Sequence, residues 1–506
     1  MPDPFPPGPF ASATSAVLDG SPPAPPVATG RLPDPGSPRR RTIAWALVAL
    51  LTLVVAVVQR LEDAPAAPDP KAAAVIQGSD VGEVIGKLFV KLAPSIRQLA
   101  PQVTGMYVTS FDDQAAQGSA ADRVWSAVVA GELMDDAEAT KRLTKVREEM
   151  AGAGGDAEAV ATLLKDVEAL ELVYSGRLGE LSQEQKDGLV ARHGFFGKVA
   201  LTRGLADTDP ARAPLLAGAG KLIAIVMVFV CVLVAALLAG LVLFIVAIVQ
   251  ARRGRLRPAF RAPAAGGSLY LETVALFLTC FLLLQVGLSL FVARAPKDAA
   301  WVTPVALASH WLLALVPLYA MRGRTFADLR RDLGWTSGRG VLREVGAGVA
   351  GYLAGLPLFL GSAMLAVLVL FVYQMVVEQV SGQRPPPPTN PLAERLENFD
   401  GVTLVLFFTL ATVWAPIVEE AIFRGTLFRH LRGTVGPVLA AMGSAFVFGI
   451  IHPVPVLLTI PLMTLGFNFA MMREWRGSLI APMTAHCVHN ATVLSLVISV
   501  MSVVKD

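Results

Sequence analysis

Long apolar runs separated by short charged segments dominate the second half of the chain. From Lys221 onward, runs of about 18 residues or more recur with few ionisable side chains, and each is long enough to cross a bilayer as a helix. The predicted spans lie at 221–250, 269–293, 301–321, 345–377, 402–431, 435–452, 454–472 and 478–503. With an earlier run, TIAWALVALLTLVVAVV, the pattern predicts about nine helices in an all-α polytopic membrane protein with a helical-bundle core.

The first half of the chain divides into three parts. Residues 1–38 are rich in Pro, Gly, Ser and Ala, which predicts a disordered cytoplasmic tail. Residues 39–58 form a transmembrane anchor behind Arg39, Arg40 and Arg41. Residues 59–218 carry Asp, Glu, Lys and Gln among apolar residues at helical spacing, which predicts a helical extracytoplasmic domain without a catalytic motif. Residues 219–340 then supply additional transmembrane helices.

Composition excludes an ordinary water-soluble globule. The chain of 506 residues is 54% hydrophobic and only 16% charged, whereas soluble domains average about 25% charged residues. The net charge of +3 is too small to indicate a nucleic-acid partner. Cys231, Cys280 and Cys487 lie inside apolar runs without metal-binding spacing, so they are expected to pack as small apolar residues.

The basic loops predict the orientation of the spans. If every span crosses the membrane, the arginines that flank them fall on one side, which is the positive-inside pattern. They are Arg39–Arg41, Arg252, Arg253, Arg255, Arg257, Arg261, Arg322, Arg324, Arg330, Arg331, Arg339, Arg343, Arg429 and Arg432. The N-terminus is therefore predicted to be cytoplasmic, with residues 59–218 and the loop RPPPPTNP on the opposite side. Composition and layout are typical of a bacterial inner-membrane protein.

Three ionisable residues interrupt the apolar span at 402–431. Glu419, Glu420 and Arg424 lie in APIVEEAIFRGTLFRH, and each charge at membrane depth costs about 2.5–3.5 kcal/mol on insertion scales. Glu420 and Arg424 are four residues apart and can pair on one helix face. Glu419 points about 100° away and needs another partner. A salt-bridged structural clamp, or a helix that ends near Ile417, would explain the three charges equally well.

Two later spans carry the remaining polar groups. His452 ends the run GSAFVFGIIH, one turn after Phe448, while His486 and Asn490 lie four residues apart in the last span. Each feature alone is more often structural than catalytic. Along ideal helices, however, Glu419, His452 and His486 lie about 19, 25 and 14 Å from their helix ends. The uncertainty in the predicted helix ends is larger than the differences between these three distances. The three side chains can therefore lie at the same depth in the membrane.

Such a cluster suits the hydrolysis of an amide by activated water. A desolvated carboxylate is a competent general base, and imidazole and carboxamide groups can stabilise an oxyanion. Glu419, His452 and His486 could also bind a divalent metal such as Zn²⁺, although the sequence has no HExxH motif that would make a zinc site specific. The residues therefore leave a metal cofactor open.

At these residues the chain resembles the CPBP family, the CAAX-processing and bacteriocin-processing intramembrane endopeptidases also called the Abi family. The resemblance rests on EExxxR, FxxxH and HxxxN in that order, with FRGTLFRHL and REWRGSLIAPMTAH beside them. It covers about Val341 to Val503, so that 341–506 is expected to be the protease core. It implies that Glu419 is the general base assisted by His452, that His486 and Asn490 stabilise the oxyanion, and that Glu420 and Arg424 orient the site.

Two other functions stay open at this stage. One is a non-catalytic membrane scaffold or bacteriocin-immunity protein that binds a protein partner through residues 59–218, and the other is a proton-coupled transporter with a Glu/His relay. The peptidase hypothesis predicts a membrane protein or peptide as substrate and the lipid bilayer as surroundings. His430 and His489 are expected to be packing or interfacial residues that face away from the site.

Overall fold

The computed structural model describes residues 32–62, 80–116, 118–151, 157–296, 299–382, 396 and 399–505. Over these residues the chain is helical, and its one β-type pairing is an isolated bridge between Pro33 and Ala264. The proline-rich segment before residue 32 and the loop RPPPPTNP lie outside the described residues. The all-α prediction is confirmed for the part that the structure describes.

Eight described helices are long and apolar enough to cross a membrane. Their helical segments are α1 (Pro38–Glu62), α9 (Ala219–Arg252), α10 (Leu269–Arg294), α11 (Val302–Ser309) with a 3₁₀ continuation to Met321, α13 (Val341–Ser381), the Gly401–Arg432 helix, α18 (Thr459–Arg476) and α19 (Ile480–Lys505). The ninth apolar segment, α17 (Pro437–Ile450), has 14 residues and is shorter than a full span. These helices and their apolar faces are those of an integral multi-pass membrane protein.

The remaining described helices lie between α1 and α9, apart from one short helix in a later loop. They are α2 (Asp80–Leu99), α3 (Thr104–Ala115), α4 (Ala120–Leu133), α5 (Asp136–Ala151), α6 (Ala157–Tyr174), α7 (Gln183–Leu201), α8 (Ala213–Leu216) and the loop helix α12 (Phe326–Leu333). Ser119 and Ser182 form capping boxes that start α4 and α7. α2 to α7 share one apolar core, which includes Phe111, Trp125 and Phe196. They therefore bury their apolar faces mainly against one another.

The Gly401–Arg432 helix is not uniform. It consists of α14 (Gly401–Thr409), a π-helical segment at Leu410–Trp414, α15 (Ala415–Glu419), a second π-helical segment at Glu420–Leu427, and α16 (Phe428–Arg432). Side chains of α1, including Val48 and Val55, pack in one core with Ile422 and Phe423 of this helix. The first apolar helix is therefore part of the bundle that surrounds the Glu419 region.

The basic ends of the helices meet at one end of the bundle. Arg429 donates to both carboxylate oxygens of Asp34 and lies 3.3 Å from Asp332. Burial raises the pKa of Asp34, although the ion pair with Arg429 opposes that shift. Ser268 and Leu269 also donate their backbone N–H groups to Pro35. Residues 32–37, which composition assigns to the disordered tail, are therefore held by specific bonds.

The helices between α1 and α9 contact the other end of the bundle. Lys91 on α2 donates from Nζ to the backbone carbonyl of Val503 in the last turn of α19, at 2.9 Å, and it is buried. Gly218, immediately before α9, also lies against Val503. The last four carbonyls of a helix have no partner within the helix, so Lys91 satisfies one of them. Residues 80–216 thus lie at the end opposite the arginine-rich loops.

Candidate active site

Glu419 is the last residue of α15, between the two π-helical segments. Pi-helical turns are rare and occur frequently at functional sites. The local cause lies in the sequence, because Ala415 donates its N–H to Leu410, five residues earlier, and Pro416 has no N–H to give to Ala411. The carbonyl of Ala411 accepts instead from the Asn490 side chain at 2.7 Å. Asn490 therefore supplies the hydrogen bond that Pro416 removes.

The Glu419 carboxylate faces two imidazole rings. Its Oε2 atom lies 3.9 Å from Nε2 of His452 and 3.9 Å from Nε2 of His486. That oxygen is buried and has no hydrogen-bond partner among the residues that the structure describes. A buried carboxylate oxygen without a partner is costly, and the space between these three atoms suits a bridging water.

His452 lies just beyond the end of α17. Its Nδ1 atom contacts the backbone carbonyl of Phe448 at 2.5 Å. A carbonyl can only accept a hydrogen bond, so Nδ1 carries the proton and Nε2 of the neutral ring has the free lone pair. The Phe448 carbonyl is available because the N–H of residue 452 bonds to Gly449 instead. The helix end thereby fixes the ring with Nε2 toward Glu419.

His486 is fixed in the same sense by the second glutamate. Its Nδ1 atom donates to Glu420 Oε1 at 3.0 Å, because the carboxylate can only accept. Arg424 Nη1 donates to the same oxygen at 2.9 Å, and Arg424 Nη2 donates to the carbonyl of Gly466 at 3.1 Å. Glu420 and Arg424 are completely buried. The ion pair therefore orients His486 while its own charges are compensated.

Aromatic rings enclose the arginine. The guanidinium carbon of Arg424 lies 4.4 Å from the ring centroid of Phe448 and 5.3 Å from that of Phe469. The imidazole of His486 stacks on Phe469 with ring centroids 5.3 Å apart. Rings of this kind stabilise a cation through their quadrupole and exclude water from it. They explain how a fully buried arginine is tolerated at this depth.

A cavity of about 130 Å³ opens in front of these groups. Its polar lining comes from Glu419, His452, His486, His489 and Asn490. Its remaining wall is apolar, with Phe448, Phe469 and leucines of α18 among the lining residues. The volume is enough for water and a small part of a bound chain. The structure thus brings Glu419, His452, His486 and Asn490 together at one cavity, with Glu420 and Arg424 directly behind them.

Two residues at or beside the cavity were not predicted from the sequence. His489 was expected to face away from the site, which is wrong: residues at i+3 and i+4 flank the same helix face, so His489 lines the cavity with His486 and Asn490. Tyr352 on α13 contacts His489 from outside and could not be found from spacing within one helix. His430, in contrast, is buried and packs against Trp45 with ring centroids 5.6 Å apart.

The side chains around Glu419 are also candidate ligands for a metal ion. Among the residues that the structure describes, no group of three or more His, Cys, Asp or Glu side chains is arranged to hold one. Glu419 Oε2 lies 3.9 Å from Nε2 of His452 and 3.9 Å from Nε2 of His486. The roles proposed for Glu419, His452 and His486 use the chemistry of their own side chains.

Comparison with known proteins gives a family for this region. Searches of the curated proteins and of the solved structures found no match to the chain. One family model does match, described as Type II CAAX prenyl endopeptidase Rce1-like, over residues 401–492. The match begins at α14 and includes Glu419, Glu420, Arg424, His452, His486 and Asn490. The chain therefore carries a domain of the Rce1-like CAAX prenyl endopeptidase family, a family of CAAX-type membrane proteases.

Proposed function

We propose that the protein is an intramembrane endopeptidase that hydrolyses a peptide bond of a membrane-associated protein or peptide with water activated at Glu419. The observation that carries the proposal is the convergence of one unpartnered carboxylate oxygen and two fixed imidazole Nε2 atoms on one point of a cavity. Family membership of residues 401–492 supports the same reaction class.

The first step is the activation of water. A water between the three atoms donates one hydrogen to Glu419 Oε2 and the other to the Nε2 lone pair of His452, which leaves its oxygen lone pair free to attack a carbonyl carbon. Glu419 accepts the proton as the C–O bond forms. The proton then passes to the amine nitrogen as the C–N bond breaks, so that one water and one amide give a carboxylic acid and an amine.

The second requirement is stabilisation of the oxyanion. The remaining N–H of the Asn490 amide is available for this purpose, since one N–H is already given to Ala411. His486 donates from Nε2 only when that atom is protonated. Glu420 at Nδ1 stabilises the resulting imidazolium, as the buried aspartate does in serine-protease triads. Glu420 and Arg424 act through His486 and are positioning residues.

Glu419→Gln is the most direct test in cells. The amide keeps the size of the side chain but cannot take the water proton. New protein termini in membranes are compared by mass spectrometry between cells with the native chain, Glu419→Gln and the control Glu378→Gln, which changes an exposed glutamate of α13. Termini that disappear only with Glu419→Gln support the proposal and identify the substrate. Termini that persist with Glu419→Gln at matched abundance contradict it.

A further inference from the structure

The cavity has a third histidine that the proposed reaction does not use. His486, His489 and Asn490 of α19 all line it. In the described part of the chain, ion-pair contacts to Glu419 come from His452 and His486 and none comes from His489. His489 therefore lines the cavity away from the water site. It lies three residues along the helix from His486, a rise of about 4.5 Å.

His489 is held in place by a helix that lies outside the matched domain. Tyr352 Oη lies 3.3 Å from His489 Nδ1. Phe359, two turns further along α13, meets the same ring edge-on with centroids 5.2 Å apart. Tyr352 and Phe359 also pack against an apolar core formed by Leu465, Phe469 and Met472. The orientation of the ring is thus determined by packing from α13, which precedes residue 401.

The hydrogen bond to Tyr352 decides which nitrogen of His489 carries the proton. Within the described residues, the Tyr352 hydroxyl forms one side-chain hydrogen bond, which joins it to Nδ1 of His489. A largely buried O–H needs an acceptor, so the hydroxyl donates and Nδ1 accepts. The ring proton of neutral His489 then lies on Nε2. His489 is therefore a donor at the cavity, whereas Nε2 of His452 and of His486 is an acceptor.

We propose that His489 is a substrate-binding residue that donates from Nε2 to a main-chain carbonyl of the bound peptide and so positions the scissile bond over Glu419. This inference rests on the proposed function. An extended chain advances about 3.3 Å per residue, so the 4.5 Å rise from His486 places the contact one to two residues from the scissile bond. Tyr352 acts through His489 and is a positioning residue.

The test measures binding without cleavage. A fluorescent farnesylated CAAX peptide is titrated against the full chain in lipid nanodiscs in a Glu419→Gln background. Adding His489→Phe, which keeps a ring of similar size without a donor, is expected to weaken binding about fivefold, the value of one hydrogen bond of average strength. His489→Gln, which keeps an N–H donor, should recover most of that loss. Tyr352→Phe should weaken binding about threefold.

Steady-state kinetics separate a substrate-binding role of His489 from a purely structural one. With Glu419 intact, His489→Phe is expected to raise KM about fivefold and to change kcat by less than about twofold, because the bond is equally strong in the ground state and the transition state. Equal affinity of the Glu419→Gln proteins with and without His489→Phe, including no binding by either, overturns the inference. So does a loss of kcat without a change in KM. Cleavage by Glu419→Gln would instead overturn the proposed function, while the binding comparison could still be made.

Discussion

At the scale of single residues, the adjacent glutamates have different environments. Helix geometry separates their side chains by about 100°. Glu420 meets Arg424 and His486 in a fully buried group, while Glu419 lines the cavity with its Oε2 atom 3.9 Å from two imidazole Nε2 atoms. The first arrangement suits positioning, and the second suits proton transfer. The roles proposed for these two identical side chains thus differ because the side chains point in different directions.

Loss of Arg424 should be far more damaging than loss of the whole ion pair. Arg424→Met leaves the Glu420 carboxylate buried with His486 as its remaining charge-compensating partner, and breaking such a pair costs about 3 to 5 kcal/mol. The double variant Glu420→Gln with Arg424→Met removes both charges and should recover a large part of that loss. Thermal unfolding in detergent measures both. Equal destabilisation by the single and double variants would contradict the account.

Local spacing predicted part of this site. The four-residue interval identified the Glu420–Arg424 pair and the different direction of Glu419, because such contacts depend on one helix. The bond between His486 and Glu420 joins residues 66 positions apart, and the contact of Tyr352 with His489 joins residues 137 apart. No periodicity within a helix indicates either contact. The catalytic roles of these residues stay predictions.

At the scale of secondary structure, the π-helical segment before Glu419 depends on a bond from another helix. Asn490→Ala leaves the Ala411 carbonyl without its donor and should cost roughly 1 to 3 kcal/mol of stability. Pro416→Ala restores an N–H five residues after Ala411. Adding Pro416→Ala to Asn490→Ala should therefore recover stability, as measured by thermal unfolding. If the double variant is less stable than Asn490→Ala, the π-helical segment before Glu419 does not depend on Pro416 and Asn490 in this way.

The pair of helices α6 and α7 has its own sensitivity to acid. Burial raises the pKa of Asp166, but hydrogen bonds from His193 and Arg192 outweigh burial and hold the pKa below its ordinary value of 3.8. The Asp166 carboxylate therefore binds a proton more tightly in the unfolded chain than in the folded one. The stabilisation of the folded state by this ionised carboxylate is complete above pH 3.8, and it is lost as the pH falls through the lower pKa of the folded state.

Hydrogen exchange measures that sensitivity. Protection factors of α6 and α7 amides in the full chain should fall as the pH is lowered through and below 3.8, while those of Asp166→Asn should start lower at neutral pH and change less. The matched control is Asp187→Asn, on the exposed side of α7. The same pH dependence in Asp166→Asn and in the native chain would contradict the assignment.

The lengths of the apolar runs predicted where the membrane helices lie, but not the π-helical segments within them. Uncharged runs of spanning length identify membrane helices because each polar backbone group in lipid must be satisfied within the helix. Neither π-helical segment was predicted, and the one at Leu410–Trp414 involves Pro416 together with the distant Asn490. The segment 435–452 was predicted as a full span, but its helix α17 has only 14 residues because Pro453 and Pro455 follow it.

At the scale of the whole molecule, two chemically different ends define the bundle. One end joins Asp34, Arg429 and Asp332, and the other joins Lys91 to the last turn of α19. Sequence composition could not predict that Asp34 binds Arg429, because the two residues are 395 positions apart. Local sequence patterns do not indicate the role of residues 80–216 either. The apolar residues of this segment form a separate core, so their spacing predicts helices but no function.

The positive-inside rule predicts that the arginine-rich end is cytoplasmic. The test uses a background in which Cys231, Cys280 and Cys487 are replaced by alanine. Ser175→Cys lies on the surface of the helices between α1 and α9, and Ser337→Cys lies in the exposed loop before α13. In intact cells a membrane-impermeant maleimide should label Ser175→Cys, and it should label Ser337→Cys only after permeabilisation. The reverse pattern would contradict the predicted orientation.

In the proposed mechanism, Glu419 activates the water that cleaves a peptide bond. The most direct measurement is the rate at which the purified full chain in nanodiscs cleaves an internally quenched farnesylated CAAX peptide. The native chain and Glu378→Gln should cleave at the same rate, and Glu419→Gln should be at least about 100-fold slower, the range expected for loss of a general base. Cleavage by Glu419→Gln at the native rate would contradict the proposed role of Glu419 as the general base.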